Sequence, residues 1–289
     1  MTDSIKTISG ENLPTLLKEI NDPPKTLYLK GVLPNPKTHV YLAVVGSRNC
    51  SHYGLEACKY LISGLQNLPV VIVSGLALGV DGIAHRSALE NNLKTVAIPG
   101  SGLNEDVLYP RSHFNLAWDI LKNGGALVSE LPPATRAAPW TFPRRNRIMA
   151  GLAKAVLIIE ATEKSGTLIT ARLAMEYNRD VLALPGSIFN QNSAGPLNLI
   201  KDGATPITSP KDLQEALGFN SEDCPKSTLD LNTLTPVEKD IYLLLQTESK
   251  PKTDIFIHLK YSSADINMAL SMLELKGLIT ETEGEVRLI

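Results

Sequence analysis

The sequence predicts an α/β protein with a doubly wound, mostly parallel sheet, followed by a small winged-helix domain. Three observations carry this prediction. From Val40 onward, short apolar strands alternate with amphipathic helices, and such alternation gives right-handed crossovers between parallel strands. Nearly every strand is followed by glycine or serine. Beyond residue 234 the pattern changes to three helices and a hairpin.

Residues 1–39 are predicted to form a lead-in rather than a domain of their own. A short helical pattern at 13–20 ends at Asp22-Pro23-Pro24, because proline cannot continue a helix. Residues 26–29 are typical of an edge strand.

The domain at 40–217 is predicted to contain six strands, each a short apolar run. The strands are expected at 40–45, 70–73, 95–98, 126–128, 155–159 and 181–184. Helices are expected at 53–65, 81–90 and 112–122 and after the turn at 165–167. Continuous apolar runs are typical of parallel strands that are covered on both faces.

Small residues follow the predicted strands, and the carboxyl ends of parallel strands meet at one edge of the sheet, where such folds bind ligands. The turns concerned are Gly46-Ser47, Ser74-Gly75 with Gly79, Gly100-Ser101-Gly102 and Ser165-Gly166-Thr167. Their backbone N–H groups can approach phosphates closely, because little side chain stands in the way. Arg48 and Arg111 accompany two of these turns. Glycine is also common in ordinary βα loops, but four such loops with two arginines favour a ligand site.

An aromatic and basic run precedes the fifth predicted strand. It contains Trp140, Phe142, Arg144, Arg145, Asn146 and Arg147. Aromatic rings offer faces for nucleobases, and guanidinium groups match phosphate oxygens. A helix that begins after Ser165-Gly166-Thr167 would point its positive dipole end at an anion. Together these features predict a phosphate-bearing polymer with bases as ligand; a solvated surface with loop packing is the alternative.

The composition excludes several other classes of protein. The three cysteines form no CxxC pair, which indicates reduced thiols and a cytoplasmic protein. The first residues lack the apolar region of a signal peptide, and no apolar run is long enough to span a bilayer. There is no GxxxxGK[ST] motif, and the Gly100-Ser101-Gly102 turn lacks the third glycine of a dinucleotide fingerprint. We expect no cofactor and no metal.

The sequence offers few groups of residues that could form a catalytic site. Asp81 and His85 share a helix face, and Glu130 follows the fourth strand, so a hydrolase could be built from them. We expect instead that Asp81 caps its helix and that His85 is a hydrogen-bonded structural residue. The enzymatic alternative is a nucleotide or phosphoribosyl hydrolase of the lysine-decarboxylase-like type. Such proteins carry a PGGxGT pattern, which this sequence lacks.

Several long motifs occur in an order that resembles the bacterial DNA-processing protein A family, also called DprA or Smf. They are AVVGSRNCSHYG, VSGLALGVDGIAHRSAL, GSGLNEDVLYPRSH, SELPP, FPRRNRIMAGL, ATEKSGTLITARLA and LALPGSIFNQNSAGPLNLIKDGA. The resemblance covers roughly residues 13–217 and continues into the tail. Pro133-Ala134 stands where the family usually has Pro-Gly, and the family's helical N-terminal domain is missing or reduced to residues 1–25.

The resemblance implies an extended Rossmann-like fold that binds single-stranded DNA without cleaving it. It also implies a dimer that displaces single-strand-binding protein and loads the RecA recombinase during natural transformation. By alignment of the motifs, the resemblance implies that Arg48 and Arg111 match family positions that hold the DNA backbone. Phe142, Arg145 and Asn146 lie in the family's FPxRNR motif, and 165–167 lie in its SG[ST]L motif. Dimerisation is expected through Leu197, Leu199 and Ile200, for which core burial is the alternative.

The tail is predicted to consist of a linker at 218–234 and a winged helix at 235–289. Thr235-Pro236-Val237-Glu238 is a capping box with proline at the first helical position. From Ser221 onward, seven basic residues face twelve acidic ones, a net charge of −5, which leaves +3 for residues 1–220. Acidic side chains are repelled by a phosphate lattice. We therefore expect the tail to contact protein and the first domain to bind nucleic acid.

Overall fold

The structure, a computed structural model, describes residues 4–219, 234–246, 248–282 and 284–288. The chain divides into two compact units, Met1–Cys224 and Pro225–Ile289. Within the described residues no helix is long and apolar enough to cross a membrane.

The described part of the first unit is built around a nine-stranded sheet in the order β1-β2-β6-β5-β4-β3-β7-β8-β9. The strands are β1 (Lys6–Ser9), β2 (Thr26–Gly31), β3 (Val40–Val45), β4 (Val70–Ser74), β5 (Lys94–Ala97), β6 (Ala126–Ser129), β7 (Ala155–Ile158), β8 (Asp180–Ala183) and β9 (Thr205–Pro206). The strands from β6 across to β9 pair in parallel, whereas β1 and β2 are antiparallel additions beside β6. The predicted mostly parallel sheet is confirmed.

Helices cover both faces of this sheet. They are α1 (Thr15–Lys18), α2 (His52–Ser63), α3 (Val80–Glu90), α4 (Phe114–Lys122), α5 (Thr141–Leu152), α6 (Thr167–Glu176), α7 (Ala194–Lys201) and α8 (Pro210–Ala216). Alternate residues of β3 divide between two apolar cores: Ala43 packs with α1, α5 and α6, whereas Leu42 packs with α2, α3 and α8. This division follows from the period of two along a strand. The sheet is therefore doubly wound.

The order of the strands places a topological switch point at β3. Successive crossovers lead from β3 through β4 and β5 to β6 on one side, and from β7 through β8 to β9 on the other. A crevice opens outside the carboxyl ends of the strands where the winding direction reverses, which here is between β3 and β7. The turn at Gly46-Ser47 follows β3 directly, and the turn at 162–166 lies between β7 and α6.

Residues 1–39 contribute α1, β1 and β2 to the first unit. The prediction of an edge strand at 26–29 was wrong, because β2 pairs with β1 on one side and with β6 on the other. Strand β1 was not predicted, since its sequence KTIS is short and mostly polar and exposed. Strand β9 was missed because it spans only two residues.

Helix α5 was also absent from the prediction, which treated its first half as an aromatic and basic run. Pro143 lies in its first turn, where the missing N–H of proline costs nothing. All eight residues from Arg145 to Leu152 are buried, arginines included. A helix that buries polar residues in sequence lacks the amphipathic period by which helices are recognised.

The predicted dimer contact at α7 stays a prediction, but one of its three residues, Leu199, belongs to the core. Leu199 is 8% exposed and packs into the core on the α5 face of the sheet, and Ile200 packs against the same core. A polar substitution at Ile200 would therefore disturb folding before it reported on assembly.

The second unit contains α9 (Pro236–Leu245), α10 (Lys252–His258) and α11 (Ser263–Leu275), with β10 (Lys250–Pro251), β11 (Ile279–Thr282) and β12 (Glu285–Leu288) in one antiparallel sheet. The predicted three helices and hairpin are confirmed. The capping box is present, because Thr235 N donates to Glu238 Oε2 at 2.7 Å and Glu238 N donates to Thr235 Oγ1 at 3.3 Å. Most of the predicted linker, residues 220–233, lies outside the described residues.

Candidate nucleic-acid interface

A pocket of about 430 Å³ lies at the switch point. Nine of the residues predicted to contact nucleic acid line it: Gly46, Ser47, Arg48, Phe142, Arg145, Asn146, Ser165, Gly166 and Thr167. They come from the turn after β3, from α5 and from the turn that opens α6. Sequence analysis did not assign the lining residues Asn49, Thr162 and Asn192 to the site, and it considered Asp81, which also lines the pocket, only for the hydrolase alternative.

The turn after β3 is fixed by Glu160, a buried residue just beyond β7. Ser47 N donates to the Glu160 carbonyl at 2.7 Å. The Glu160 carboxylate accepts hydrogen bonds from Ser51 N at 2.8 Å and from Asn192 Nδ2 at 3.3 Å. Asn192 Nδ2 also donates to the Asn49 carbonyl at 3.0 Å. Glu160 thus joins three segments around the pocket. The sequence could have identified Glu160 by its position, since it is a charged residue directly after an apolar strand.

Gly79 allows the start of α3 to approach the same turn. Its φ is 72°, and a Cβ at this position would overlap the carbonyl oxygens of Ser47 and Arg48. Val80 N donates to the Ser47 carbonyl at 3.2 Å. The presence of glycine at position 79 therefore has a structural reason, and Gly79 does not line the pocket.

Arg145 forms the floor of the pocket rather than a free phosphate ligand. Its Nη1 donates to the carbonyls of Gly75 and, at 2.6 Å, Ile98, which follow β4 and β5. Its Nη2 lies 3.9 Å from Asp81 Oδ2, and both side chains are buried. A Cβ on Gly75 would overlap the guanidinium, so a larger residue there would force the Arg145 side chain to move.

The carboxylate of Asp81 holds the loop after β4. It accepts hydrogen bonds from Gly75 N at 3.1 Å and Ala77 N at 3.4 Å. Burial raises the pKa of Asp81, against the lowering effect of the Arg145 charge. The prediction that Asp81 caps α3 was wrong, because the N-cap is Gly79 and Asp81 lies in the first turn.

Phe142, which is half-buried, and Arg48, which is exposed, form the rim of the pocket. The Arg48 Cζ lies 5.2 Å from the centroid of the Phe142 ring, and Tyr109 meets that ring edge-on at 5.9 Å. The ring packs on Gly100, where a Cβ would overlap it. Arg48 and Phe142 also line a smaller adjoining hollow with Gly75, Gly100 and Tyr109. A cation beside a half-buried ring is suited to a phosphate with its base.

The opening turn of α6 supplies the opposite wall. Ser165 Oγ accepts from Thr167 N at 3.2 Å, and Asn146 Nδ2 donates to the Gly166 carbonyl at 3.4 Å. A Cβ on Gly166 would meet nothing within 4 Å, so the backbone there is open to the pocket. The positive end of the α6 dipole favours an anion at this wall.

The remaining predicted residues do not line the main pocket. Ser74 is buried and its hydroxyl donates to the Val44 carbonyl at 2.6 Å, which ties β4 to β3. Arg111 is exposed beside the pocket, where Nη1 donates to the Glu105 carbonyl at 2.8 Å and Cζ lies 4.3 Å from the Phe114 ring centroid.

Two arginines of the basic run are paired with an acid. Arg144 Nε lies 2.8 Å from Glu130 Oε2, and Arg147 Nη2 lies 2.5 Å from Glu130 Oε1. Arg147 is largely buried and also donates to the Asp22 carbonyl. Its charge is neutralised within the fold, so Arg147 is not expected to contact DNA.

Each residue of the hydrolase alternative is already engaged within the fold. Glu130 is engaged by the two arginines, and Asp81 by Arg145. His85 Nδ1 lies 2.7 Å from Thr95 Oγ1, whose hydroxyl donates to the Ile72 carbonyl, so Nδ1 carries the proton. Burial, followed by the nearby His113, lowers the pKa of His85 to about 3, so the ring is neutral at pH 7.

The fold and the pocket define a doubly wound α/β protein with a crevice at its switch point, edged by an aromatic ring and an arginine. The chain belongs to the DNA recombination-mediator protein A family, which matches residues 4–218.

Named relatives and solved structures agree. Protein Smf of Escherichia coli is 42% identical over 237 residues, which cover 81% of this chain and 62% of the relative, so the chain spans less than two thirds of that protein. The crystal structure of DNA processing protein A from Streptococcus pneumoniae matches with a TM-score of 0.68 at 39% identity, covering 76% of each chain. DNA processing protein A from Helicobacter pylori, a structure that describes a single-stranded DNA binding mode, matches with a TM-score of 0.66 at 31% identity, covering 75% and 98%.

Proposed function

We propose that this protein binds single-stranded DNA in the switch-point pocket, without cleaving it. The observation that carries the proposal is the joint presence of Arg48, the Phe142 ring and the open start of α6 around one crevice. A guanidinium and a helix N-terminus suit a phosphate, and the ring suits the attached base. The single-stranded DNA binding described for the Helicobacter pylori relative supports the same ligand.

A single strand fits this geometry better than a duplex. The Phe142 ring is recessed beside Gly100, so a base must turn out of a stack to reach it. Bases of a single strand do so at little cost, whereas a duplex pays for unpairing. Fluorescence anisotropy with labelled oligo-dT, beside the same length of duplex, tests the proposal. Equal or tighter binding of the duplex would contradict it.

We further propose, from the family resemblance, that the protein acts as a cytoplasmic homodimer that displaces single-strand-binding protein and loads RecA. The test is the lag before RecA hydrolyses ATP on DNA coated with single-strand-binding protein. A shortened lag supports the loading role. An unchanged lag at saturating protein would contradict it while leaving DNA binding intact.

Truncation of Phe142 to alanine should weaken single-strand binding by about 1–3 kcal/mol, because a base loses its stacking partner. Phe142→Tyr keeps the ring and should bind nearly as the wild type does. Anisotropy with oligo-dT measures both variants. On an oligonucleotide with abasic sites, the affinity of the wild type should fall at least to the level of Phe142→Ala. Wild-type binding that is insensitive to base removal would show that only the backbone is contacted.

Removal of residues 221–289 should leave single-strand affinity largely intact. The tail carries a net charge of −5, so its loss removes repulsion from a polyanion rather than attraction. Two of the acidic residues in that count, Asp265 and Glu274, are exposed on α11. The measurement compares truncated and full-length protein on one oligonucleotide at two salt concentrations. A decrease in affinity of tenfold or more, about 1.4 kcal/mol, would show that the second unit binds DNA.

A further inference from the structure

Phe189 is the most exposed large apolar side chain among the described residues, at 92%, and its neighbour Ile188 is 79% exposed. Both lie in the segment that follows β8. Single exposed apolar residues are ordinary on a protein surface, so the exposure of Phe189 acquires meaning only from its place beside the pocket.

The backbone under this ring is held in a defined turn. Asn190 N donates to the Ser187 carbonyl at 3.0 Å, and Phe189 N donates to Ser187 Oγ at 3.2 Å. Asn192 N donates to Asn190 Oδ1 at 2.9 Å. These bonds fix the place from which the ring projects, and an aromatic side chain loses few rotatable bonds on binding.

The same turn is attached to the wall of the pocket. Asn192 lines the pocket and donates to the Asn49 carbonyl at 3.0 Å, while its own carbonyl accepts from Ala161 N at 2.8 Å. On the other side of the turn, Tyr53 Oη donates to the Pro185 carbonyl at 2.6 Å. Phe189 is thus anchored to both turns that form the crevice.

The two rings flank the pocket along the sheet edge. Phe142 packs on Gly100, which follows β5, whereas Phe189 follows β8. Four strand spacings separate β5 from β8 in the sheet order, which at about 4.8 Å each amounts to roughly 20 Å. The pocket between β3 and β7 lies between them.

We propose that Phe189 is a second base-stacking residue, which carries the path of single-stranded DNA from the pocket across the end of β8. This inference rests on the function proposed above and extends its contact surface. DNA is favoured over a protein partner because the turn that carries the ring is hydrogen-bonded, through Asn192, to the wall of the pocket proposed to hold the strand.

The test is a series of labelled oligo-dT from about 4 to 16 nucleotides, the range of single-strand site sizes, bound to the full chain and to Phe189→Ala. We expect equal affinities for the shortest strands, which the pocket alone can hold, and a loss of about fivefold or more for strands that reach Phe189. Phe189→Trp should restore the affinity, whereas Phe189→Leu should not. Val32→Ala is the matched control, since Val32 is 65% exposed and adjoins the opposite edge of the sheet.

Three outcomes would overturn the inference. The first is an affinity ratio of one at every length, with Arg48→Glu still defective, which would leave the proposed function standing. The second is an equal loss at every length, which would make Phe189 part of the pocket. The third is a change of mass in light scattering with unchanged affinity per chain, which would assign the ring to self-association. Failure of the wild type to bind oligo-dT would instead refute the proposed function, and this inference with it.

Discussion

Arg48→Glu should weaken single-strand binding by about 10- to 150-fold at low salt, the equivalent of a charged hydrogen bond worth roughly 1.5–3 kcal/mol. Arg48 is exposed at the rim of the pocket, and within the described residues it takes part in no ion pair. Its charge is therefore available to a phosphate. Loss of one phosphate contact should also lower the slope of log affinity against log salt by about 1.

A matched control separates this contact from a general change of charge. Lys122→Glu changes the net charge equally, and Lys122 is 72% exposed at the end of α4, away from the carboxyl ends of the strands. It should bind nearly as the wild type does. Arg111→Glu should fall between the two, because Arg111 adjoins the pocket but already donates to Glu105. Wild-type affinity of Arg48→Glu, with unaltered circular dichroism, would refute the placement of the site.

The central strands could be predicted because their sequences carry one dominant signal. Strands β3, β4 and β7 are short apolar runs with helical patterns between them, and only a parallel sheet covered on both faces buries them all. The edge of the sheet that holds the site follows from the same alternation, since glycine turns after parallel strands must meet there. Strand β1 could not be found in this way, because its pairing with β2 depends on backbone hydrogen bonds rather than on apolar side chains.

The sequence did not predict which of the site arginines are buried and which are exposed. Arg48 and Arg145 both stand beside predicted site residues, and both were expected to contact DNA. The structure exposes the first and buries the second against Asp81, a residue far away in the chain. Whether a guanidinium is buried depends on where the fold places acidic residues from distant parts of the chain. A local sequence pattern cannot predict those positions. The same reason explains Arg147, whose partner Glu130 follows β6.

Arg145→Met should destabilise the fold by about 3–5 kcal/mol, because removal of one partner leaves a buried charge uncompensated. The Asp81 carboxylate would lose its cation, and the carbonyls of Gly75 and Ile98 would lose their donor. Urea unfolding measures the loss. Adding Asp81→Asn should recover part of it, since a neutral amide can still accept from Gly75 N and needs no cation.

The pH dependence of this variant follows from the raised pKa of Asp81. In the wild type burial raises that pKa although Arg145 opposes it, so loss of Arg145 should raise it further. Between the ordinary value of 3.8 and the folded value, the native state then binds a proton that the unfolded chain does not. The stability deficit of Arg145→Met should therefore shrink as the pH falls, and Arg145→Met with Asp81→Asn should lack this trend. A deficit that is constant with pH would show that Asp81 is not the group left uncompensated.

DNA binding by the same variant distinguishes a positioning residue from a phosphate ligand. Arg145 holds the ends of β4 and β5, so its loss should lower single-strand affinity through the shape of the pocket. Because its charge is already neutralised by Asp81, no counterion is exchanged at Arg145 when DNA binds, and the salt slope should equal that of the wild type. Arg48→Glu should lower affinity and slope together. If Arg145→Met lowered the slope by about 1 as well, Arg145 would contact a phosphate directly, and its ion pair with Asp81 would have to open when the strand binds.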